Sequence, residues 1–137
     1  MTKKELGFLI EVATEAQNHS YAPYSKYNVG ASLLTKDGKI YTGCNIENAS
    51  YGATICAERV AISKAISDGE RDFVGMCIVG GKNNKVWGFA YPCGICRQFL
   101  AEFCDNDFEI VLCDGEEVKL LTLGELLPSA FCKDDIE

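Results

Sequence analysis

Two short stretches hold the residue types that chemistry needs: Thr54-Ile55-Cys56-Ala57-Glu58-Arg59 and, further along, Tyr91-Pro92-Cys93-Gly94-Ile95-Cys96-Arg97. The two-residue gap between Cys93 and Cys96 lets a turn entering a helix aim both thiols at one ion. Cys56 becomes a third ligand if its own helix start lies beside theirs. A helix N-terminus presents unsatisfied N–H groups and the positive end of a dipole, which lowers the cost of keeping a cysteine deprotonated. A closed structural site takes four protein ligands, whereas three leave a position for water, and Glu58 is placed two residues beyond a ligand to meet that water. Alone, Cys-x-x-Cys is equally a redox pair, half of a structural zinc site or two small buried hydrophobes. Joined to Cys56-x-Glu58 it points to catalytic zinc, with Cys56, Cys93 and Cys96 as ligands and Glu58 as the acid–base group.

The remaining cysteines, Cys44, Cys77, Cys104, Cys113 and Cys132, lack comparable spacing and read as packing residues. Cys44 is the one that could close the site as a fourth ligand. His19, the sole histidine, falls at the end of the first helix as a surface or capping residue.

These residues need elements to position them. Leu6, Leu9, Ile10, Ala13, Ala16 and Gln17 follow helical spacing and predict a helix over residues 5 to 18. Strand formers run from Tyr27 to Leu34 and resume at Ile40, and Asp37-Gly38 between them predicts a tight hairpin. Helical spacing returns from Ile55 to Ile66, with Thr54 expected to cap the first turn. Met76 to Val79 reads as a short buried strand, Cys93 to Phe103 as a helix and Glu109 to Cys113 as a strand; a fifth strand is expected at Val118 to Leu121 and a short helix at Gly124 to Leu127. Strands separated by helices predict an α/β fold: three layers, α/β/α, around a five-stranded mixed sheet with helices on both faces.

The chain has 137 residues, of which 47% are hydrophobic, and no repeat or linker divides it, so one domain over residues 1–137 is expected. Thirteen basic against twenty acidic residues give a net charge of −7, the wrong sign for gathering phosphates, which argues against a nucleic-acid partner. No apolar run is long enough for a membrane span, and the opening residues do not read as a targeting segment. Eight cysteines without such a segment are expected to be reduced thiols of a cytoplasmic protein.

Taken together, Tyr24-Ser25-Lys26-Tyr27-Asn28-Val29-Gly30-Ala31, Gly43-Cys44-Asn45-Ile46-Glu47-Asn48, Cys56-Ala57-Glu58-Arg59, Pro92-Cys93-Gly94-Ile95-Cys96-Arg97-Gln98 and Leu126-Leu127-Pro128 make the sequence resemble the cytidine deaminase family. The resemblance is to its short, single-domain form, which holds zinc through three cysteines, and it runs over nearly the whole chain. It implies Zn²⁺ on Cys56, Cys93 and Cys96, with Glu58 taking a proton from the water that attacks C4 of cytosine and passing protons to N3 and the departing amine. It implies that Arg59 withdraws charge from a ligand thiolate, and that Asn45 and Glu47 grip the ribose diol of a nucleoside. The Ala57 N–H would meet the pyrimidine carbonyl. Tyr27, where the family commonly carries phenylalanine, would pack on the base. Tyr51 and Phe131 would complete a neighbouring subunit's pocket in a homotetramer. Arg97 reads as a surface arginine.

The implied function is deamination of cytidine and deoxycytidine to uridine and deoxyuridine in pyrimidine salvage. The alternatives are a deaminase of another cytosine-bearing small molecule such as blasticidin S, a zinc-stabilised interaction module closed by Cys44, and a redox Cys93/Cys96 protein.

Overall fold

The computed structural model describes residues 1–137. Strand-forming runs at Tyr27–Thr35 (β1), Ile40–Cys44 (β2), Phe73–Lys82 (β3), Glu109–Cys113 (β4) and Val118–Thr122 (β5) pair into one sheet in the order β2-β1-β3-β4-β5. Only β3 and β4 run parallel; every other neighbour pair is antiparallel. The parallel pair follows from the helix between them, because a parallel neighbour needs a crossover while antiparallel β1 and β2 need only the expected hairpin.

The helices are α1 (Lys3–Gln17), α2 (Ala57–Ser67), α3 (Gly94–Phe103) and the short α4 (Leu123–Leu126). Leu9 and Ala13 of α1 cover one face of the sheet against Leu34, Cys77, Val79, Val111 and Cys113. On the other face Ala57, Ala61, Ile62 and Ala65 of α2 and Leu100 of α3 pack on Ala31, Leu33, Met76, Ile78, Ile110 and Leu112. Alternate residues of β3 and β4 thus point to opposite cores, as a pleated strand requires, and each fully buried Leu or Ile stabilises the fold by about 1.5–3 kcal/mol. The α/β/α arrangement expected from the sequence is present, with α1 on one side and α2, α3 and α4 on the other.

Gly43 decides how close α2 can come. A Cβ on Gly43 would lie 2.2 Å from the Ala57 carbonyl oxygen and 2.6 Å from the Ala61 nitrogen, so the first turn of α2 rests on bare β2 backbone. Beyond β2 the chain makes isolated bridges that join Ile46 to both Tyr21 and Ile55, which hold residues 45–47 beside the approach to α2.

Boundaries differ from expectation where tertiary contacts override local pattern. The strand expected at Met76 to Val79 extends over Phe73–Lys82, because as the central strand it has neighbours along both edges. Thr54 does not cap α2: the N-cap is Cys56, and Thr54 Oγ1 accepts from the Asn48 N–H instead. The first helix begins at Lys3 because Thr2 and Glu5 form a capping box, which satisfies two otherwise free N–H groups.

Candidate active site

Both ligand-bearing helices start at a cysteine. Cys56 is the N-cap of α2 and Cys93 of α3, each in extended backbone and neither using its side chain as a cap. Their thiols are therefore free to turn toward each other, and the buried Cys96 follows in the first turn of α3. The Cys56 and Cys93 sulfurs lie 3.7 Å apart and those of Cys93 and Cys96 3.5 Å apart, with all three within 4.8 Å of one another. Zinc–thiolate bonds of about 2.3 Å in tetrahedral array place sulfurs about 3.8 Å apart, so these donors fit Zn²⁺ and leave one position open. Cys44 is not among them. It ends β2 opposite Gly30, so the four-cysteine closure expected for an interaction module does not form.

Charge within the cluster is uneven. The Cys96 hydrogen bond, against the opposing effect of burial and with help from Arg59, draws the Cys56 thiol down to about 5. The same hydrogen bond and burial push Cys96 up, so before metal arrives Cys56 carries the charge and Cys96 the proton. Arg59 Nη2 stands 3.6 Å from the Cys56 sulfur and also faces the Thr54 carbonyl at 3.5 Å. Arg59 is thus turned to the cluster and not to solvent, and its buried Nε has no protein partner.

Glu58, only 4% exposed, enters the same space from the first turn of α2. Burial lifts its carboxyl to about 7; its own backbone N–H opposes the shift and the negative Cys56 adds to it. A carboxyl titrating near neutrality can both accept and return a proton. Ala57 beside it is fully buried, and its N–H is among the first-turn donors that helix geometry leaves without an intrahelical acceptor. Tyr27 lies on this side of the sheet, half-buried, where burial and then the charge of Glu58 raise its phenol. Its hydroxyl lies where a Cβ on Gly80 would come within 2.9 Å, so the glycine makes room for the larger ring.

Asn45 and Glu47 project from the bridged segment, but with most of their hydrogen-bonding capacity in use. Asn45 Oδ1 accepts from the Val29 N–H at 2.9 Å and from Ser20 Oγ, while Nδ2 donates to the Tyr27 carbonyl at 2.8 Å. Glu47 Oε1 accepts from the N–H groups of Tyr24 and Ser25 at 3.0 and 3.1 Å, and Oε2 from Ser25 Oγ. Partial burial would raise the Glu47 carboxyl, but the Ser25 and Tyr24 hydrogen bonds prevail and hold it low. A cleft of 430 Å³ opens here between Tyr24, Ser25, Glu47, Tyr51 and Thr54. Tyr51 stacks edge-on with Tyr24 at 5.9 Å yet is 76% exposed, and Phe131, whose carbonyl accepts from Gln98 Nε2 of α3, is 62% exposed. Within one chain neither ring is core.

Two features escaped the sequence. Ser20 and Ser25 hold Asn45 and Glu47, and serines next to turn residues carry no signal of a distant partner. Arg97 is not a free surface residue: its Nε donates to the Pro92 carbonyl at 2.7 Å and its Nη1 to the Leu126 carbonyl at 2.6 Å, tying the Cys93 turn to the end of α4.

An open three-thiol centre with a buried carboxylate at hand is what a metal-dependent hydrolytic enzyme requires, and the mixed sheet between helices narrows the class to zinc deaminases. The family profile described as the cytidine and deoxycytidylate deaminase zinc-binding region matches residues 3–112, and the chain belongs to that family. It is 45% identical over 129 residues to the cytidine deaminase of Sporosarcina psychrophila, covering 93% of this chain and 92% of that one. The crystal structure of cytidine deaminase from Burkholderia pseudomallei superposes with a TM-score of 0.85 at 43% identity, covering 96% of this chain and all of that one. The blasticidin-S deaminase of Bacillus cereus is more distant, 32% identical over 92% of this chain and 91% of its own length.

Proposed function

We propose that residues 1–137 act as one catalytic unit that hydrolytically deaminates cytidine and deoxycytidine to uridine and deoxyuridine with release of ammonia. The observation that carries this is the buried Glu58 carboxyl, poised near neutrality beside three convergent thiols. Cys56, Cys93 and Cys96 are the zinc ligands. Zinc held there supplies Lewis-acid activation of the water that the reaction consumes.

Glu58 removes a proton from the attacking water, delivers one to N3 of the pyrimidine and returns one to the amine as ammonia leaves from C4. The Ala57 N–H binds the pyrimidine carbonyl, and the Tyr27 ring packs against the base. Three thiolates leave Zn²⁺ with a net charge of −1, which weakens its acidifying effect; Arg59 offsets this by drawing electron density from Cys56.

Asn45 and Glu47 read the sugar. After the contacts within the chain, Asn45 retains one N–H to donate and Glu47 one lone-pair site to accept. One donor and one acceptor match a single hydroxyl rather than a diol. That count supports acceptance of both ribo- and deoxyribonucleosides, which share the 3′-hydroxyl and differ at the 2′ position.

The exposure of Tyr51 and Phe131 supports a homotetramer in which these rings enter a neighbouring copy's site. None of the eight cysteines is in a disulfide, which supports a reducing cytoplasm, and no helix is long and apolar enough to cross a membrane; a role in pyrimidine salvage rests on the nucleoside reaction itself. The test is ammonia release and loss of cytosine absorbance from zinc-quantified protein given cytidine, deoxycytidine, free cytosine or blasticidin S. Turnover of both nucleosides, well above the other two, is expected. One zinc per chain with no turnover would sink the proposal, and preference for blasticidin S would replace it.

A further inference from the structure

Ser20 and Asn28 take no part in the chemistry above, yet their side chains form an unbroken series of hydrogen bonds ending on Asn45. The Asn84 N–H donates to Asn28 Oδ1 at 3.1 Å, Asn28 Nδ2 donates to Ser20 Oγ at 3.1 Å, and Ser20 Oγ donates to Asn45 Oδ1. The direction of the series is forced. A backbone N–H can only donate, so Asn28 must turn its oxygen to Asn84 and its nitrogen to Ser20. Ser20 then accepts from Asn28, and its single proton goes to Asn45.

At the far end, two backbone groups fix the Asn45 amide independently. The Val29 N–H requires an oxygen facing it and the Tyr27 carbonyl requires a nitrogen. With Ser20 added, both lone pairs of Asn45 Oδ1 are filled in a residue only 8% exposed. The one hydrogen-bonding group that Asn45 has left is an N–H.

We infer that Ser20, oriented by Asn28, is a positioning residue for sugar recognition: by saturating Asn45 Oδ1 it makes Asn45 a pure donor toward the nucleoside. This rests on the reading of Asn45 and Glu47 as the sugar contacts. With Asn45 limited to donating, a bound hydroxyl can satisfy both residues in only one orientation, accepting from Asn45 and donating to Glu47. Without Ser20 the backbone groups still set which way the Asn45 amide faces, but its Oδ1 regains an open lone pair that takes a water or competes with Glu47 for the hydroxyl's proton, and the single orientation is lost.

The measurement is the ratio of kcat/KM for 2′-deoxycytidine to that for 2′,3′-dideoxycytidine, which lacks the hydroxyl in question. Ser20→Ala is expected to lower this ratio by about fivefold, the effect of one neutral hydrogen bond, through KM for deoxycytidine and with kcat little changed. Ser20→Thr, which keeps the hydroxyl, should restore it. A general loosening of the fold would lower both substrates together and leave the ratio unmoved, and that result overturns the inference. Should Ser20→Ala fail to fold, Asn28→Ala removes the orienting donor and should move the ratio in the same direction by about twofold. Glu47→Gln separates the two levels. If it leaves the ratio intact, the sugar reading fails and the inference with it; if it collapses the ratio while Ser20→Ala does not, only the role of Ser20 is overturned.

Discussion

Gly43→Ala tests whether the close contact of α2 on β2 sets the active-site geometry. The added Cβ would sit 2.2 Å from the Ala57 carbonyl oxygen, against the 3.4 Å at which ordinary contact begins, so the start of α2 must retreat by roughly 1 Å. Both clashing groups are helix backbone, which no rotamer change can relieve. The displaced residue lies between Cys56 and Glu58, whereas Cys93 and Cys96 ride on α3 and stay behind. Overpacking of this kind costs about 1–3 kcal/mol, which lowers Tm by roughly 3–10 °C in a domain of this size. Misplacing reacting groups by about 1 Å lowers turnover by about 100-fold. Calorimetry and deamination at saturating cytidine read the two effects separately. The control is Gly7→Ala in α1, where a Cβ meets nothing within 4 Å and should stabilise by about 0.5–1 kcal/mol. Gly43→Ala with Tm within about 1 °C and kcat within about twofold of the parent would refute the reasoning, since α2 would then not be held by that contact.

Glu58→Gln should keep zinc and fold but lose turnover by about 10²–10⁴-fold, because it removes the proton carrier without touching a ligand; near-normal activity defeats the assigned role. The same variant carries a pH signature in metal-free protein. A carboxyl raised from 4.5 to about 7 destabilises the fold fully above pH 7 and not at all below 4.5, so its own contribution to stability falls with rising pH across that window, against the opposite contribution of the Cys56 thiol lowered to about 5. The difference between Glu58→Gln and the parent in urea titrations at several pH values isolates this contribution, worth about 3 kcal/mol; a difference that does not change with pH contradicts the burial argument. Cys93→Ala should lose metal and thermal stability together, as metal analysis and calorimetry will show, and a metal-replete variant means the ligand set is wrong. Zinc uptake near neutral pH should release fewer than three protons per ion, since Cys56 is already a thiolate while Cys96 keeps its proton. Calorimetry in buffers of different ionisation enthalpy counts them, and release of three rejects that charge assignment.

The sheet and its helices were legible because their signals are local: a run of strand formers in β1, helical spacing in α1 and α2, Asp37-Gly38 in the hairpin. The thiol cluster was legible for a different reason, since Cys93-x-x-Cys96 and Cys56-x-Glu58 each encode geometry at a helix start. Asn45 and Glu47 were harder. The family resemblance marks them as sugar contacts but does not reveal that Val29, Tyr27, Ser20, Tyr24 and Ser25 take up most of their valences, because those partners come from other segments. Arg97 was misjudged on the same ground: its two carbonyl acceptors lie 5 residues upstream and 29 downstream, and only the folded chain brings them together. Cys44 as a fourth ligand failed for want of distance, which one-dimensional spacing does not give.

Cys56 and Cys93 are 37 residues apart in the chain, and β3 lies between them. The thiols converge only after β3 has taken its place in the centre of the sheet and both helices have docked on the same face. The complete three-thiol set therefore exists only in the folded arrangement, because contacts distant in sequence bring the Cys56 and Cys93 segments together. Zinc bound there links the starts of two helices and stabilises the folded state that holds all three thiols together. Metal content therefore reports on how much of the protein has reached the folded arrangement as well as on the capacity for catalysis.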